Sequence, residues 1–190
     1  MSGARIELEF DHQQVTRALS AGAAALDNPE PLLEDLGEML SNIHRARFKA
    51  QVSPDGTPWQ ALSPGYLRRK ERNKDKILRA SGQLSNDLRY QIDGDSLLFG
   101  TDRPYGAIHQ FGGEIQRQER ASTVYFKMDE RTGTVGRKFV SKTKSNFAQD
   151  VKIGPYTIDM PARPWLGTSD ADDDSLLQRV MSFLSTAMGN

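Results

Sequence analysis

Residues 53–59 read Ser-Pro-Asp-Gly-Thr-Pro-Trp, a dense run of turn-forming residues that ends in a large aromatic side chain. Proline fixes its φ angle and glycine accepts backbone conformations that other residues avoid, so this run predicts a sharp turn. A tryptophan in such a loop favours contact with the core, because its ring is large and mostly apolar. We therefore expect Gly56 to permit the turn and Trp59 to anchor it.

The residues before this turn are predicted to form a helix. From Leu32 to Ile43, apolar residues recur every three or four positions and form one stripe along a helix. Basic residues follow from Arg45 to Lys49, where cations suit the negative end of the helix dipole. The pattern predicts a helix that runs from Pro31 towards the turn.

Patterns at the two ends of the chain predict one strand and two more helices. Apolar and charged residues alternate over 6–10, which is typical of a half-buried strand. Asp11 resembles a helix cap, and an apolar stripe over 15–26 predicts a helix that ends at 28–29 with Asn-Pro. Near the other end, aspartates followed by an apolar stripe predict a helix over 170–188.

The middle of the chain carries signals for short elements. Residues 66–76 are strongly basic and predict a short surface helix. Apolar residues alternate on both sides of an Asp-Gly turn, which predicts a β-hairpin over 88–99. Residues 102–111 predict a short helix closed by two glycines, and 114–126 and 151–159 each read as a strand.

The segment 129–150 is basic, contains several Gly and Ser residues, and has few apolar side chains. Such a segment cannot bury enough surface to fix its own structure. We expect a flexible insertion here, either a loop or a long hairpin that is ordered only against a neighbour. The chain shows no internal repeat and no linker between two cores, so residues 1–190 are expected to form one domain with this insertion.

The composition limits the class of protein. Of the 190 residues, 37% are apolar and 26% are charged, which describes a soluble globular protein. Lys plus Arg and Asp plus Glu number 25 each, so the whole molecule has no strong field that would steer it to nucleic acid or a membrane. There is no cysteine, which excludes disulfides, thiolate catalysis and zinc sites built on sulfur. No apolar run reaches the roughly 18 residues of a membrane span, and the first residues lack a signal-peptide pattern.

The chain lacks recognisable catalytic and metal-binding patterns. The three histidines, His12, His44 and His109, are widely separated and have no second ligand at metal-binding spacing, so we expect no metal and no cofactor. No nucleophile elbow, Ser-x-x-Lys pattern or phosphate-binding glycine loop is present. We expect a protein that is not an enzyme.

Two basic segments suggest contact with DNA or an acidic partner, because clustered cations bind phosphates. The candidate contacts are Arg68, Arg69, Lys70, Arg137 and Lys138. The simpler alternative is a pair of solvated faces that acidic residues elsewhere balance. A single aromatic residue, Phe139, lies among the cations of the second segment and none among those of the first, which is too few for the stacking of successive bases and argues against sequence-specific binding of single strands.

Four short segments follow one another across residues 40–170. The first extends the turn to 47–66, and the others are 77–84, 100–112 and 161–167. In this order they resemble the phage virion morphogenesis or tail completion proteins of Mu-like phages. Trp165 stands where that family usually has phenylalanine. The motif residues that we expect to set the fold or form an interface are Gly56, Trp59, Gly82, Tyr105, His109, Phe111, Gly112, Arg163, Pro164 and Trp165.

The resemblance implies an α+β fold like that of tail terminators, with a small, twisted, mostly antiparallel sheet and helices packed on it. It implies a structural virion protein, a homo-oligomeric ring and expected hexamer, that completes the tail or joins it to the head. The implied partners are copies of itself, the tail tube protein, a head-side connector or stopper, and DNA that passes through the ring without sequence-specific contact. The implied location is the neck or tail end of the virion, after assembly in the host cytoplasm, and no membrane is involved.

Two other functions stay open from the residues alone. A DNA-binding module or transient assembly factor would act during head morphogenesis and then leave, and it would bind duplex DNA with a strong dependence on salt. A hydrolase would need an arrangement of polar side chains that the sequence does not reveal.

Overall fold

The structure is a computed structural model that describes residues 13–189. The strand predicted over 6–10 and the helix cap predicted at Asp11 lie outside the described residues. The chain divides into two compact units. We call the part up to Phe111 together with the part from Ala162 onward the helical unit, and Gly112–Pro161 the ribbon unit.

The described part of the helical unit contains six helices and one β-hairpin. The helices are α1 (Gln13–Asp27), α2 (Glu30–Ala50), α3 (Pro64–Arg69), α4 (Gln83–Asn86), α5 (Gly106–Phe111) and α6 (Asp170–Ala187), and the strands are β1 (Arg89–Asp93) and β2 (Ser96–Gly100). Helices α1, α2, α5 and α6 and the hairpin confirm the sequence predictions. The single-turn helix α4 has no counterpart among them.

Helix α2 carries one side of the core. It ends at Gln51, whose φ of 62° is left-handed and whose N–H donates to the carbonyl oxygen of Arg47. Apart from Leu32, the predicted apolar stripe is only half-buried. The most buried face of the helix lies beside it and carries small or polar residues as well as apolar ones: Leu32, Gly37, Ser41, His44, Arg47 and Phe48.

The β1–β2 hairpin packs against α2. The strands pair antiparallel from Arg89 opposite Gly100 to Asp93 opposite Ser96, and the turn uses Gly94 with a φ of +61°. A Cβ atom at Gly37 of α2 would lie 2.6 Å from ring carbons of Tyr90 on β1. The absence of a side chain at residue 37 therefore lets the hairpin approach the helix closely.

Three aromatic rings form the centre of the core. Phe48, Trp59 and Trp165 are buried, and Leu84 and Leu88 complete the cluster. The ring centroid of Phe48 lies 5.4 Å from that of Trp59 and 6.0 Å from that of Trp165, which suits edge or tilted packing. Trp59 thus anchors the turn on the core, as its position after the proline and glycine residues predicts.

The last helix begins with a capping box. The Ser169 hydroxyl accepts from the Asp172 N–H, and the Asp172 carboxylate accepts from the Ser169 N–H. Two otherwise unpaired donors at the helix start are satisfied in this way. Helix α6 nevertheless contains no buried residue along its 18 positions.

The ribbon unit is a long two-stranded antiparallel ribbon. Strand β3 (Gly113–Arg117) pairs with β6 (Tyr156–Met160), and β4 (Arg120–Phe126) pairs with β5 (Phe147–Ile153). The ladder is interrupted on one side by Pro155, which has no N–H to donate. Each long strand predicted for this region is therefore divided in two.

One sequence prediction needs correction. The helix predicted over 66–76 ends at Arg69, because Lys70 takes an extended conformation with ψ of 119°.

The segment 129–150, expected to be either a loop or a long hairpin, connects the paired strands β4 and β5. It contains the start of β5 at Phe147 and a short 3-10 helix at Lys142–Lys144. Its flexibility stays a prediction.

The α+β class is confirmed, with antiparallel pairing in each of the ladders that the structure describes. These ladders are two-stranded, so the strands do not join into one larger sheet within residues 13–189. None of the helices in this range is long and apolar enough to cross a membrane.

Candidate functional site

The motif segments meet in the helical unit, where residues 162–167 pass over the turn and α5. Trp59 donates a hydrogen bond of 2.7 Å from Nε1 to the carbonyl oxygen of Pro164. Trp165 donates one of 3.0 Å from its Nε1 to the carbonyl oxygen of Gly106. The ring of each indole is therefore buried, and its N–H donates a hydrogen bond to the backbone of a distant segment.

Gln110 fixes the same segment through its side-chain amide. Its Oε1 accepts from the backbone N–H groups of Trp165 and Leu166, each at 2.9 Å, and its Nε2 donates to the Leu166 carbonyl oxygen at 2.9 Å. Gln110 was not among the expected site residues. Its sequence signals are its place in the motif segment 100–112 and its polar side chain next to His109 in a short helix.

Arg163 is buried and donates three hydrogen bonds to backbone carbonyl oxygens of other segments. Its Nε donates to the Gln60 carbonyl oxygen at 2.7 Å, its Nη2 donates to that of Ala61 at 3.2 Å, and its backbone N–H donates to that of His109 at 2.7 Å. Burial lowers the pKa of the Arg163 guanidinium from its usual value. Among the described residues no carboxylate pairs with it, so this cation is held by carbonyl dipoles.

A second polar cluster links α2 to the start of α6. The Nδ1 of His44 lies 2.7 Å from the Leu40 carbonyl oxygen and must carry the proton there, so Nε2 accepts from the Gly167 N–H at 3.3 Å. Arg47 donates to the Gly167 carbonyl oxygen and to the Asp172 carboxylate. The sequence does not predict this cluster, because His44 and Arg47 lie more than 100 positions away from Gly167 and Asp172.

The charges in this cluster follow from its surroundings. Burial lowers the pKa of His44, so the imidazole is neutral near pH 7. Burial alone would raise the pKa of the Asp172 carboxyl, but hydrogen bonds from Ser169 and the charge of Arg47 outweigh it, and the net shift is downward. The cluster therefore holds one ion pair and one neutral histidine.

The glycines among the motif residues occupy positions that require them. Gly56 has a φ of +82° and Gly82 one of +88°, in the left-handed region that other residues rarely adopt. Gly112, the first residue of the ribbon unit, has a φ of +70°. These positions set the path of the backbone.

Three motif residues in or next to α5 stay partly or fully accessible. Phe111 is 79% exposed, and Tyr105 is also exposed. His109 is half-buried, its ring lies 6.1 Å from that of Tyr105, and its Nδ1 has no hydrogen-bond partner in the described chain. Burial lowers the pKa of His109. Phe111 is the most exposed large apolar side chain among the motif residues and is the best candidate for an interface contact.

The expected basic contacts fall in two separate places. Arg68 and Arg69 are exposed on α3, and Arg137 and Lys138 are exposed in the ribbon unit. Lys70 is only 6% exposed and donates from Nζ to the Lys76 carbonyl oxygen, so its ammonium is not free to contact DNA. Lys70 is therefore removed from the candidate contacts.

The motif cluster is suited to holding a shape. The side-chain donors of Trp59, Arg163 and Trp165 are directed at backbone carbonyl groups, and Gln110 completes the set. Within residues 13–189, no group of three or more His, Asp or Glu side chains is placed to hold a metal ion. The cluster fixes residues 162–167 against the turn and α5.

Known proteins are similar to parts of this chain. The Mu-like prophage FluMu G protein 2 of Haemophilus influenzae is 25% identical over 118 residues, which cover 62% of this chain and 78% of that protein. The putative capsid assembly protein G of Escherichia phage Mu is 31% identical over 90 residues, which cover 45% of this chain and 57% of that protein. No solved structure gives a significant match.

The family comparison covers nearly all of the chain. The sequence pattern of the phage virion morphogenesis family matches residues 10–185, which include every motif segment described above. This match agrees with the resemblance that the motifs carry. The chain belongs to the phage virion morphogenesis family, and its role lies in the assembly of the phage particle.

Proposed function

We propose that this protein is a structural subunit of the virion and assembles with copies of itself into a ring at the head-proximal end of the tail. The ring completes the tail or joins it to the head, between the tail tube protein and a head-side connector or stopper. Membership of a virion morphogenesis family supports an assembly role. The name of the phage Mu relative, a putative capsid assembly protein, supports the same class of function.

The observation that carries the proposal is a set of exposed apolar side chains on the two contacting helices α1 and α6, which we call the open stripe. It comprises Val15, Leu19 and Leu26 on α1 and Leu177 and Met181 on α6. Each of these side chains is at least half exposed. Several large apolar side chains exposed on two neighbouring helices favour a contact with a partner, because a large apolar patch in water is rare on a monomer.

The two helices cover only a small part of this surface themselves. Gly22 lies on the same face of α1 as Leu19 and is buried, and a Cβ atom there would lie 3.2 Å from Met188 Cγ. Beyond this close approach, Leu177 and Met181 stay 58% and 63% exposed. An amphipathic helix normally buries its apolar stripe, but within residues 13–189 no element covers Leu177 and Met181 on α6.

In a ring of identical subunits, the open stripe would be covered by a second copy of the chain. A ring forms when one patch of a subunit contacts a different patch of the next copy. The exposed ring of Phe111 on α5 provides such a second apolar patch. We propose that the open stripe of one subunit packs on the surface around Phe111 of the next.

A pair of charge substitutions tests the open stripe. Leu177→Glu with Met181→Glu places two carboxylates in the proposed interface, where burial of unpaired charge is strongly unfavourable. The matched control is Gln178→Glu with Ser182→Glu, which adds the same charge at exposed positions one residue further round α6. Light scattering and negative-stain images should show rings for the wild type and the control, and monomers with an unchanged thermal unfolding midpoint for the stripe variant.

The location in the virion needs a separate measurement. Mass spectrometry of purified phage particles should find the protein at a low, fixed copy number, six if the ring has the symmetry expected for tails. A wild-type protein that stays monomeric and is absent from finished particles would contradict the proposal. Presence during head assembly followed by loss from the particle would instead favour a transient assembly factor.

A further inference from the structure

The end of the ribbon unit is strongly basic. Residues 127–146, which we call the ribbon tip, contain six cations and two carboxylates, a net charge of +4 in a chain whose total charge is zero. All six cations are exposed: Lys127, Arg131, Arg137, Lys138, Lys142 and Lys144. None of them forms a salt bridge with another described residue.

The ribbon tip is held by its own hydrogen bonds. The side chain of Asn146 accepts from the Met128 N–H at 2.7 Å and donates to the Met128 carbonyl oxygen at 2.8 Å. Gly136 N–H donates to the Lys127 carbonyl oxygen at 2.8 Å, and Val140 N–H donates to that of Tyr125 at 2.9 Å. The cations therefore project from a frame with a defined backbone path.

The two carboxylates of the tip do not neutralise these cations. Asp129 Oδ1 accepts from the backbone N–H groups of Arg131 and Thr132 at 2.9 and 3.3 Å, so it caps the turn. Glu130 lies 3.4 Å from the side-chain amide of Asn146. Their hydrogen bonds are with backbone or amide groups, and the surplus of positive charge stays at the surface.

An aromatic ring accompanies the cations. Phe139 follows Lys138 directly, is 73% exposed, and rests tilted on Phe126 with ring centroids 5.1 Å apart. An exposed ring beside cations suits nucleic acid, since cations bind phosphates while an apolar ring can contact bases or sugars. A two-stranded β-ribbon also fits the major groove of B-form DNA.

We propose that the ribbon tip binds double-stranded DNA without sequence specificity, through its cations and the phosphate backbone. This binding is independent of ring formation by the helical unit. The attraction for DNA comes from the ribbon tip alone, because a chain with equal numbers of acidic and basic residues has no overall attraction for a polyanion.

The test is a titration of a fluorescently labelled duplex with the full chain at salt concentrations between about 50 and 200 mM. The tip variant is Arg137→Gln with Lys138→Gln and Lys142→Gln. The matched control is Arg17→Gln with Arg45→Gln and Lys49→Gln, three exposed cations of the helical unit that lie outside both basic segments. We expect the tip variant to reduce the slope of log affinity against log salt by about 3, roughly one for each cation that no longer binds a phosphate. The control should leave the slope unchanged.

Further outcomes separate the alternatives. Phe139→Ala should weaken binding several-fold at every salt concentration and leave the slope unchanged, because it removes an uncharged side chain from the interface. No binding by the wild type at the lowest salt, or an equal loss in the control, would overturn the proposal. A tip variant that keeps its DNA affinity but no longer forms rings would also overturn it, and would assign the tip to an acidic protein surface. Unchanged denaturation midpoints confirm that each variant folds.

Discussion

Trp59 and Pro164 lie 105 positions apart in the chain and are joined by a hydrogen bond of 2.7 Å from the indole Nε1 to the prolyl carbonyl oxygen. Arg163, the residue before Pro164, ties the same two segments again through the carbonyl oxygens of Gln60 and Ala61. Three side-chain hydrogen bonds thus hold the turn after α2 against the segment before α6. The family motifs at these two places mark the two sides of a single contact.

Replacing Trp59 with phenylalanine tests whether this contact serves folding. Trp59→Phe keeps an apolar ring but removes the donor, so the Pro164 carbonyl group loses its partner. We expect the free energy of unfolding to fall by about 1–3 kcal/mol, the cost of an unsatisfied buried group, with additional loss from the smaller ring. Urea denaturation measures the change, and Tyr66→Phe, at an exposed position, is the control.

The same variant distinguishes a core anchor from an interface residue. If Trp59→Phe lowers stability and the purified protein still forms its normal assembly, the indole acts within the subunit. Unchanged stability together with a failure to assemble would show that Trp59 packs on a neighbouring copy instead.

Gly37→Ala tests the close approach of the hairpin to α2. Alanine is a better helix former than glycine by about 1 kcal/mol, but its Cβ would lie 2.6 Å from the ring of Tyr90. Overpacking of this kind costs about 1–3 kcal/mol, so we expect a net loss of stability in urea denaturation. The control is Gly65→Ala in α3, where an added Cβ atom would meet no side chain or segment beyond its own helix and chain neighbours within 4 Å, and it should be neutral or stabilising.

A second substitution identifies the cause of the Gly37→Ala effect. Tyr90→Leu removes the ring that the new methyl group meets. If steric conflict is the cause, the double variant should be more stable than the sum of the two single changes predicts. Additive effects would contradict this explanation.

The elements of the fold were largely predictable from sequence because local patterns determine them. Trp59 after a run of proline and glycine predicts an anchored turn, and the structure confirms it. The spacing of apolar residues predicts which side chains share a helix face, as on α6. The same spacing does not reveal what covers that face, and Leu177 and Met181 turn out to be exposed.

The candidate site was less predictable because its hydrogen bonds connect distant residues. The partners of Gln110 lie 55 and 56 positions away, and those of Arg163 lie 102 and 103 positions away. Lys70 is the opposite case, a residue that the sequence predicts as a surface contact and that the structure buries. It belongs to a run of cations that suggests a surface patch, but the end of α3 turns its ammonium towards the Lys76 carbonyl oxygen.

The neutral state of His44 predicts a dependence of stability on pH. Burial lowers the pKa of His44 below its usual value of 6.5, and the charge of Arg47 adds to this effect. The unfolded chain takes up a proton near pH 6.5 while the folded protein does not, so the unfolded state binds more protons. The free energy of unfolding should therefore fall as the pH drops from above 6.5 through the folded-state pKa.

Urea denaturation at about pH 7.5, 6.5 and 5.5 measures this dependence. His44→Gln should be less stable at high pH and should lose less stability on acidification, because glutamine does not titrate. His109 contributes in the same direction, since burial lowers its pKa as well. The double variant with His109→Gln should be flatter still, and an unchanged slope in both variants would contradict the assignment.

Phe111 is the motif residue whose position separates folding from assembly most clearly. It is 79% exposed at the end of α5, so Phe111→Ser removes little buried surface and should change the free energy of unfolding by less than about 0.5 kcal/mol. Phe48→Ala, at a fully buried ring, should cost about 3–5 kcal/mol and serves as the opposite case. Phe111→Ser should shift the protein from ring to monomer, because every interface of the ring loses an apolar side chain. Light scattering measures this shift. A variant that assembles like the wild type would show that the proposed interface lies elsewhere.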